Sequence, residues 1–338
     1  MSAGGELKVV IVGTGAISHT HADAVKATPG LRLTACWNRG EEMASGEEFA
    51  RKYQVGYYSS IDEMLASERP DITINDLAYK YHILGLEKAA SLGSHLVVEK
   101  PMGISLAACR EMIDIADRHK VKLAVSESSW FSAVDLTYQS LRQRFGQVIH
   151  MIDTNYRNYF GAARGAWAFD PVEGFGGMIL NVGVHRVARL RLFAGAEESS
   201  VCATVGKRLA DKPVEGDASI LIRYKNGACG VIMMCGYHNP GKGNANICRI
   251  VTENGIVTPG EPTSFVHSDG SEESFPVDVR FAKPDYANFY TALAASIREG
   301  TASPCPGESG MRDVAVILAA FKSFEEKREV EVDELIAS

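Results

Sequence analysis

Residues 9–18 read V-V-I-V-G-T-G-A-I-S, and the organisation of the chain follows from them. Four apolar residues, Val9 to Val12, make a strand with no polar face, the pattern of a strand buried on both sides. Gly13, Thr14 and Gly15 interrupt it, and a helical pattern begins at Ala16 and Ile17. Gly13 can take a backbone conformation closed to other residues. Gly15 puts no Cβ between the chain and a diphosphate resting on the free N–H groups of the helix. Ser18 stands where a third Gly or Ala usually lets helix and strand pack closely, and it is small enough to do the same. An ordinary strand-to-helix turn shows the same bare pattern, so the rest of the chain decides.

Outward from that turn, short apolar runs alternate with amphipathic stretches. Strands are expected at Val9–Val12, Leu31–Cys36, Gly56–Tyr58, Ile72–Asn75, His95–Val98 and Lys122–Val125, and helices at Glu41–Tyr53, Ile83–Leu92 and Leu106–His119. Such alternation predicts a doubly wound parallel sheet with right-handed crossovers, whose ligand crevice lies beyond the carboxyl ends of the strands. At the end of the second strand stands Asn38-Arg39, where an acidic residue would otherwise receive an adenosine ribose. Without that carboxylate a 2′-phosphate is not repelled, and Arg39 can pair with it, which favours NADP over NAD. A solvated turn arginine is the plainer alternative. After the fifth strand comes Glu99-Lys100-Pro101; Pro101 holds Lys100 extended, so its ammonium stays at the crevice rim.

Length and composition set the frame. The 338 residues exceed one typical core, so two domains are expected: residues 1–125 for the dinucleotide and 126–338 for substrate binding and oligomerisation. A formal charge of −7 without a long basic cluster argues against nucleic acid or an anionic membrane as partner and leaves a small molecule. The first residues carry no signal-peptide pattern and no stretch is apolar enough to span a bilayer, so a cytoplasmic protein is expected. Seven cysteines with no C-x-x-C pair read as small core residues. The nine histidines are dispersed, with no helical H-x-x-x-H and no histidine–carboxylate grouping, so no metal is expected.

Beyond Ser126 the pattern changes to α+β. A helix at Ala133–Arg144 and a strand at Val148–Tyr156 precede a loop rich in aromatic and arginine residues, then glycines 174, 176 and 177 and an apolar helix from Met178 to about Phe193. From Val201 to Phe275 polar and apolar residues alternate between turn signals, an antiparallel meander with one open face. Helices follow at Tyr286–Arg298 and Met311–Glu326. In the helix from Met178, Asn181 and His185 are the polar groups of the first two turns and share one face. Polar groups on an apolar helix need partners, in the core or in a ligand. Arg186, Arg189 and Arg191 read as solvated charges suited to the helix C-terminus.

Taken together, G-T-G-A-I-S after a strand, E-K-P after the fifth strand, G-G-M-I-L-N-V-G-V-H, V-E-G-D-A-S-I-L-I-R-Y-K-N-G-A-C-G-V-I and the closing helical segment resemble the glucose-fructose oxidoreductase and inositol dehydrogenase (Gfo/Idh/MocA) family over nearly the whole chain. The resemblance implies a Rossmann domain, an open-sheet domain through which the chain forms a dimer or tetramer, and NAD(P)-dependent oxidation or reduction of sugars and cyclitols. It implies that Lys100 contacts cofactor and substrate hydroxyl and that His185 is the acid/base. Three departures concern the substrate region. Asn181 stands where the family typically has Asp; the family's T-P-N-x-x-H appears as L-A-Y-K-Y-H, keeping His82 and putting Tyr79 where the nicotinamide would pack; and S-E-S-S-W-F replaces the usual segment after the sixth strand.

The expected cofactor contacts are Gly13, Thr14, Gly15, Ala16, Ile17, Asn38, Arg39, His82, Glu99 and Lys100. Lys100 suits alkoxide stabilisation and His185 proton transfer, while Asn181, Tyr156, Arg157 and Trp167 are expected to bind substrate, with Tyr159 and Arg164 beside them. Two other readings keep the same motifs: tightly held NAD used for transient sugar oxidation during glycoside cleavage or epimerisation, and a non-catalytic sensor of sugar or nucleotide.

Overall fold

The structure is a computed structural model, and it describes residues 5–40, 43–160, 169–171, 176–207, 212–237 and 245–337. Cα packing divides the chain into two compact units, residues 1–128 with 284–311, and residues 129–283 with 312–338.

In the first unit β1 (Leu7–Val12) is followed by α1 (Ala16–Ala27), β2 (Leu31–Trp37), α2 (Met43–Tyr53), β3 (Gly56–Tyr58), α3 (Ile61–Glu68), β4 (Ile72–Asn75), α4 (Leu86–Ser91), β5 (His95–Val98), α5 (Leu106–His119) and β6 (Leu123–Val125). The six strands form one sheet in the order β3-β2-β1-β4-β5-β6, and each adjacent pair is parallel. Val9, Val10, Ile11 and Val12 are inaccessible to solvent, as a strand covered on both faces requires. The strand order reverses between β1 and β4, so the crevice of a doubly wound sheet opens beside the glycine turn.

Local signals place most boundaries. Helix α5 starts where the Ser105 hydroxyl accepts the Ala108 N–H at 3.1 Å and stops where Lys120 turns left-handed at φ 55°. Helix α4 is shorter than expected. The residues before it form a 3₁₀ turn at Tyr79–Tyr81, and Gly85 at φ 76° breaks the helical path immediately before Leu86. Residues 284–311 join this unit because helix α8 (Asp285–Glu299) packs on α1 and the Val125 N–H donates to the Cys305 carbonyl at 2.9 Å. A single boundary after residue 125 leaves this long-range return in the other half.

The second unit contains α6 (Ala133–Phe145), β7 (Val148–Arg157), α7 (Met178–Ala194), β8 (Glu198–Gly206), β9 (Asp217–Tyr224), β10 (Cys229–Gly236), β11 (Ala245–Thr252), β12 (Gly255–Thr258), β13 (Thr263–His267), β14 (Glu272–Phe275), most of α9 (Gly307–Glu326), β15 (Val330–Glu331) and α10 (Val332–Ala337). Nine strands form a sheet in the order β14-β13-β12-β11-β7-β10-β9-β8-β15. It is mostly antiparallel rather than a pure meander, since β7 and β10 run parallel at its centre. Helix α7 packs on β7, β9 and β10. On the sheet, Val251, Ile256 and Val266 are cross-strand neighbours and, with Ile152 and Ile247, are 37–55 % exposed. Among the described residues no helix is long and apolar enough to cross a membrane.

Candidate functional site

The glycine turn is built as its sequence requires. Gly13 sits at φ 104°, and a Cβ on it would lie 3.0–3.1 Å from the main chain of Asp76 and Leu77, so both its conformation and its surroundings demand glycine. Gly15 is the N-cap of α1 and supplies no side-chain cap, and a Cβ on it would meet nothing within 4 Å. The first N–H groups of α1 thus begin in open space, with exposed Gly15 and Ala16 and half-buried Ile17 around them. A dinucleotide diphosphate fits this cradle: a close approach without a Cβ, at an uncapped helix N-terminus.

Polar contacts brace the turn from the second strand. Asn38 is buried and donates from Nδ2 to the Thr14 hydroxyl at 2.6 Å, while the Thr14 and Ser45 hydroxyls lie 3.0 Å apart. Asn38, expected as a ribose contact, therefore holds Thr14 in place. The Arg39 guanidinium lies over the Tyr81 ring, 4.1 Å from its centroid. Stacking on a ring orients the plane of a guanidinium and leaves its N–H groups along the edges.

His82 is placed differently from a cofactor contact. It is buried, with Nδ1 3.0 Å from the Met102 carbonyl and Nε2 3.0 Å from the Leu77 carbonyl, and burial lowers its pKa. The ring ties the segment after β4 to the segment after β5. Tyr79 is likewise buried. Glu99 is buried beneath Lys100 and accepts the Lys100 backbone N–H at 3.1 Å, the Ser126 hydroxyl at 2.6 Å and the Tyr286 hydroxyl at 2.9 Å. Burial opposes its ionisation, but His21, the Lys100 charge and the Ser126 hydroxyl outweigh it and hold the carboxyl at about 2. Glu99 is thus a fixed anion that shapes the chain at half-buried Lys100, and the Lys100–Pro101 peptide is cis. His21 faces Glu99 at 3.0 Å and Asp76 at 3.3 Å, a histidine–carboxylate grouping that sequence spacing does not disclose.

In the second unit, α7 presents Asn181 and His185 as partly exposed residues among neighbours that are nearly all buried, so the polar face read from the sequence exists. Its start is set by a residue that sequence reasoning gave no role. The Glu215 carboxylate accepts the N–H groups of Gly177 at 2.6 Å, Ile179 at 3.2 Å and Leu180 at 3.4 Å. A Cβ on Gly177 would lie 2.1 Å from the Glu215 carbonyl oxygen, so glycine is required there as well. Burial raises the Glu215 carboxyl pKa against the pull of those N–H groups.

The arginines of α7 are not solvated charges. Arg189 pairs with Asp135 at 2.8 Å and Asp153 at 3.3 Å, Arg186 with Asp153 at 3.5 Å, and buried Arg191 with Glu198 at 3.2 Å and Asp313 at 2.5 Å. They anchor α7 to α6, β7, β8 and α9. Tyr156 and Arg157 close β7 as half-buried residues, whereas Tyr159 is fully buried against Phe160 and belongs to the core. Trp167, Arg164 and Gly174 lie outside the described residues. Cys202 is exposed rather than a core residue, and among the described residues no group of His, Cys, Asp and Glu is arranged to hold a metal.

These features define a chain with a doubly wound unit built for a dinucleotide and a unit with an open, mostly antiparallel sheet. A family model described as oxidoreductase family, NAD-binding Rossmann fold, matches residues 7–127, and one described as oxidoreductase family, C-terminal alpha/beta domain, matches residues 141–332. The chain belongs to this Gfo/Idh/MocA oxidoreductase family. It is similar to a myo-inositol 2-dehydrogenase of Thermotoga maritima, 24 % identical over 98 % of this chain and 100 % of that protein. A trans-1,2-dihydrobenzene-1,2-diol dehydrogenase of Sus scrofa is 23 % identical over 65 % of each chain. Against that protein and three other curated relatives the chain spans 44–65 % of their length. A solved oxidoreductase of Agrobacterium radiobacter, in complex with NAD+, L-tartaric acid and magnesium, has the same fold at TM-score 0.85, 16 % identity and coverage of 97 % of this chain and 99 % of that one.

Proposed function

We propose that the chain is an NAD(P)-dependent oxidoreductase that moves a hydride between the nicotinamide and a carbinol carbon of a sugar, sugar derivative or cyclitol. One observation carries this reading: a glycine turn whose Gly15 faces open space at an uncapped helix N-terminus, immediately beside the strand-order reversal. The names of the relatives, dehydrogenases of inositol and of a dihydrodiol, support the substrate class. The bound cofactor supplies the hydride chemistry. Gly13 and Gly15 admit the diphosphate, and Thr14, held by Asn38, fixes the turn. Arg39, its plane set by Tyr81, takes a ribose 2′-phosphate, which favours NADP.

Lys100, on a backbone held by Glu99, stabilises the negative charge that develops on the substrate oxygen. His185 accepts or returns the hydroxyl proton, since an imidazole ordinarily titrates near neutrality. Asn181, one turn earlier, orients that ring or binds a neighbouring hydroxyl without supplying a charge. Tyr156 and Arg157 contribute substrate contacts. The exposed aliphatic band Ile152, Ile247, Val251, Ile256 and Val266 receives a second copy of the chain, which light scattering in solution tests directly.

The test is absorbance of reduced cofactor with a panel of polyols, cyclitols and sugars. Turnover is expected with at least one, and Lys100→Ala is expected to lower kcat by about 10²–10³-fold, the usual effect of removing one preorganised charge stabiliser. Cofactor binding with no turnover on any of them contradicts the proposal. Product formed with no net reduced nucleotide replaces it with transient redox on a retained cofactor.

A further inference from the structure

Beneath the glycine turn lies a closed set of ionisable groups that the hydride chemistry does not use. Asp76 directly follows β4; its N–H donates to the Val12 carbonyl at 2.8 Å, and its carbonyl group lies 3.0–3.1 Å from where a Cβ on Gly13 would stand. Its side chain is inaccessible to solvent, and the polar groups that reach its carboxyl are His21 and Ser18, both on α1. From α1, His21 Nε2 stands 3.3 Å away, and the Ser18 hydroxyl of the same helix faces the carboxyl. The same His21 nitrogen lies 3.0 Å from Glu99, while Nδ1 meets the Tyr290 hydroxyl of α8 at 2.5 Å. The other ionisable neighbours are Lys100 beside Glu99, Tyr286 on α8 and Glu127 after β6.

The proton count of this cluster does not close with two ionised carboxylates. One imidazole nitrogen offers a single proton to two buried acids, and with His21 charged these three groups still sum to −1. The Lys100 charge acts on Glu99, so the buried carboxylate left uncompensated is Asp76, a charge that burial disfavours. A second proton removes it, and the donors decide where it resides. Glu99 receives a serine hydroxyl, a tyrosine hydroxyl, a backbone N–H and His21. Asp76 has the same His21 nitrogen at 3.3 Å and the Ser18 hydroxyl, a thinner set of donors. Burial raises the Asp76 carboxyl to about 7, and the carboxylates of Asp76 and Glu99 raise His21 in spite of its burial.

We propose that Asp76 is a proton-linked control on the dinucleotide cradle: it carries a proton when a diphosphate occupies the α1 N-terminus, so that binding takes up a proton from solvent and weakens as Asp76 ionises. The inference rests on the turn holding NAD(P). A dianion placed above this cluster opposes a second negative charge below it, which favours protonated Asp76; by reciprocity, protonated Asp76 favours the bound dianion. With Asp76 protonated and His21 and Glu99 paired, these three groups carry no net charge.

The experiment is calorimetric titration of NADPH into the full chain in buffers of different ionisation enthalpy, with 13C NMR of aspartate carboxyls in the cofactor-free protein. Expected for the wild type are uptake of a fraction of a proton near pH 7.5, affinity falling by about tenfold from pH 6 to pH 9, the effect of a one-unit shift, and one aspartate carboxyl titrating near neutrality. In Asp76→Asn the uptake from this group and that NMR titration disappear, and affinity changes by less than about twofold over the same range. If that variant does not fold, the wild-type calorimetry and NMR still decide. Binding without proton uptake, uptake unchanged in Asp76→Asn, or no aspartate titrating above about pH 6 overturns the inference and leaves the cofactor reading standing. Absence of any binding fails the cofactor reading and this inference with it.

Discussion

Two helices of this molecule begin in glycine and end up with opposite N-termini. Helix α1 starts at Gly15 with no side-chain cap and open space in front of it. Helix α7 starts after Gly177, and the Glu215 carboxylate occupies its first N–H groups. The two glycines stand in opposite surroundings. The fold requires Gly177 because the protein itself fills the space where a Cβ would be, whereas at Gly15 the protein leaves that space empty. A glycine-rich helix start is therefore an anion site only where no carboxylate of the chain already holds it. The helix bearing Asn181 and His185 is fixed from within, and the helix of the glycine turn is left for a ligand.

The comparison is broken most severely by adding one methyl group to each start. In Gly177→Ala the new Cβ meets the Glu215 carbonyl, so α7 must shift; a loss of about 3 kcal/mol or more in denaturant-measured stability is expected, the upper range for overpacking. Gly15→Ala, facing open space, should cost no more than about 1 kcal/mol in the same measurement. Equal losses at the two positions would erase the distinction.

Removing the carboxylate is the next largest effect. Glu215→Ala leaves three N–H groups without their acceptor and should cost about 1–3 kcal/mol, with Glu215→Gln recovering part of it. The two buried glutamates should also show opposite pH signatures. Glu215 has its folded pKa raised above the unfolded value, so its ionisation costs stability as pH rises from about 4.5 upward. Glu99, held at about 2, adds stability above pH 4.5 that is lost as pH falls toward 2. Stability profiles of Glu215→Gln and Glu99→Gln against wild type separate the two; profiles that move in the same direction would contradict the assignment. The smallest effect is at the rim of the open start. Arg39→Ala should raise the KM for NADPH by about tenfold, the weight of one charge-assisted contact, and leave that for NADH within about twofold.

How much of this is legible in the sequence follows the range of the contacts. Val9 to Ser18 and Leu106 to His119 declare themselves because strand, turn and cap are set by neighbours in the chain, and α5 ends at the residue its periodicity marks. The Asn181–His185 face is equally local. Glu215 is 38 residues from Gly177, and His21 is 78 from Glu99, so neither capping nor clustering leaves a periodic trace. The arginines of α7 mislead for the same reason: Asp135, Asp153 and Asp313 reach them from other elements. Asn38 and His82 are polar residues near the crevice that serve the protein's own backbone and turn, a role that spacing alone does not distinguish from ligand contact.

The open α1 start can be closed with the chain's own chemistry, by copying onto it what Glu215 does for α7. Aspartate is a favoured N-cap, so Gly15→Asp should fold with unchanged or higher thermal stability while placing a carboxylate where the diphosphate would rest. Titration of NADPH and NADH into both proteins should give saturable binding to the wild type and at least about a tenfold loss in Gly15→Asp, the least expected when one carboxylate opposes a dianion. Undiminished binding in a folded Gly15→Asp protein, or no binding to the wild type, would contradict the claim that this helix start holds the cofactor.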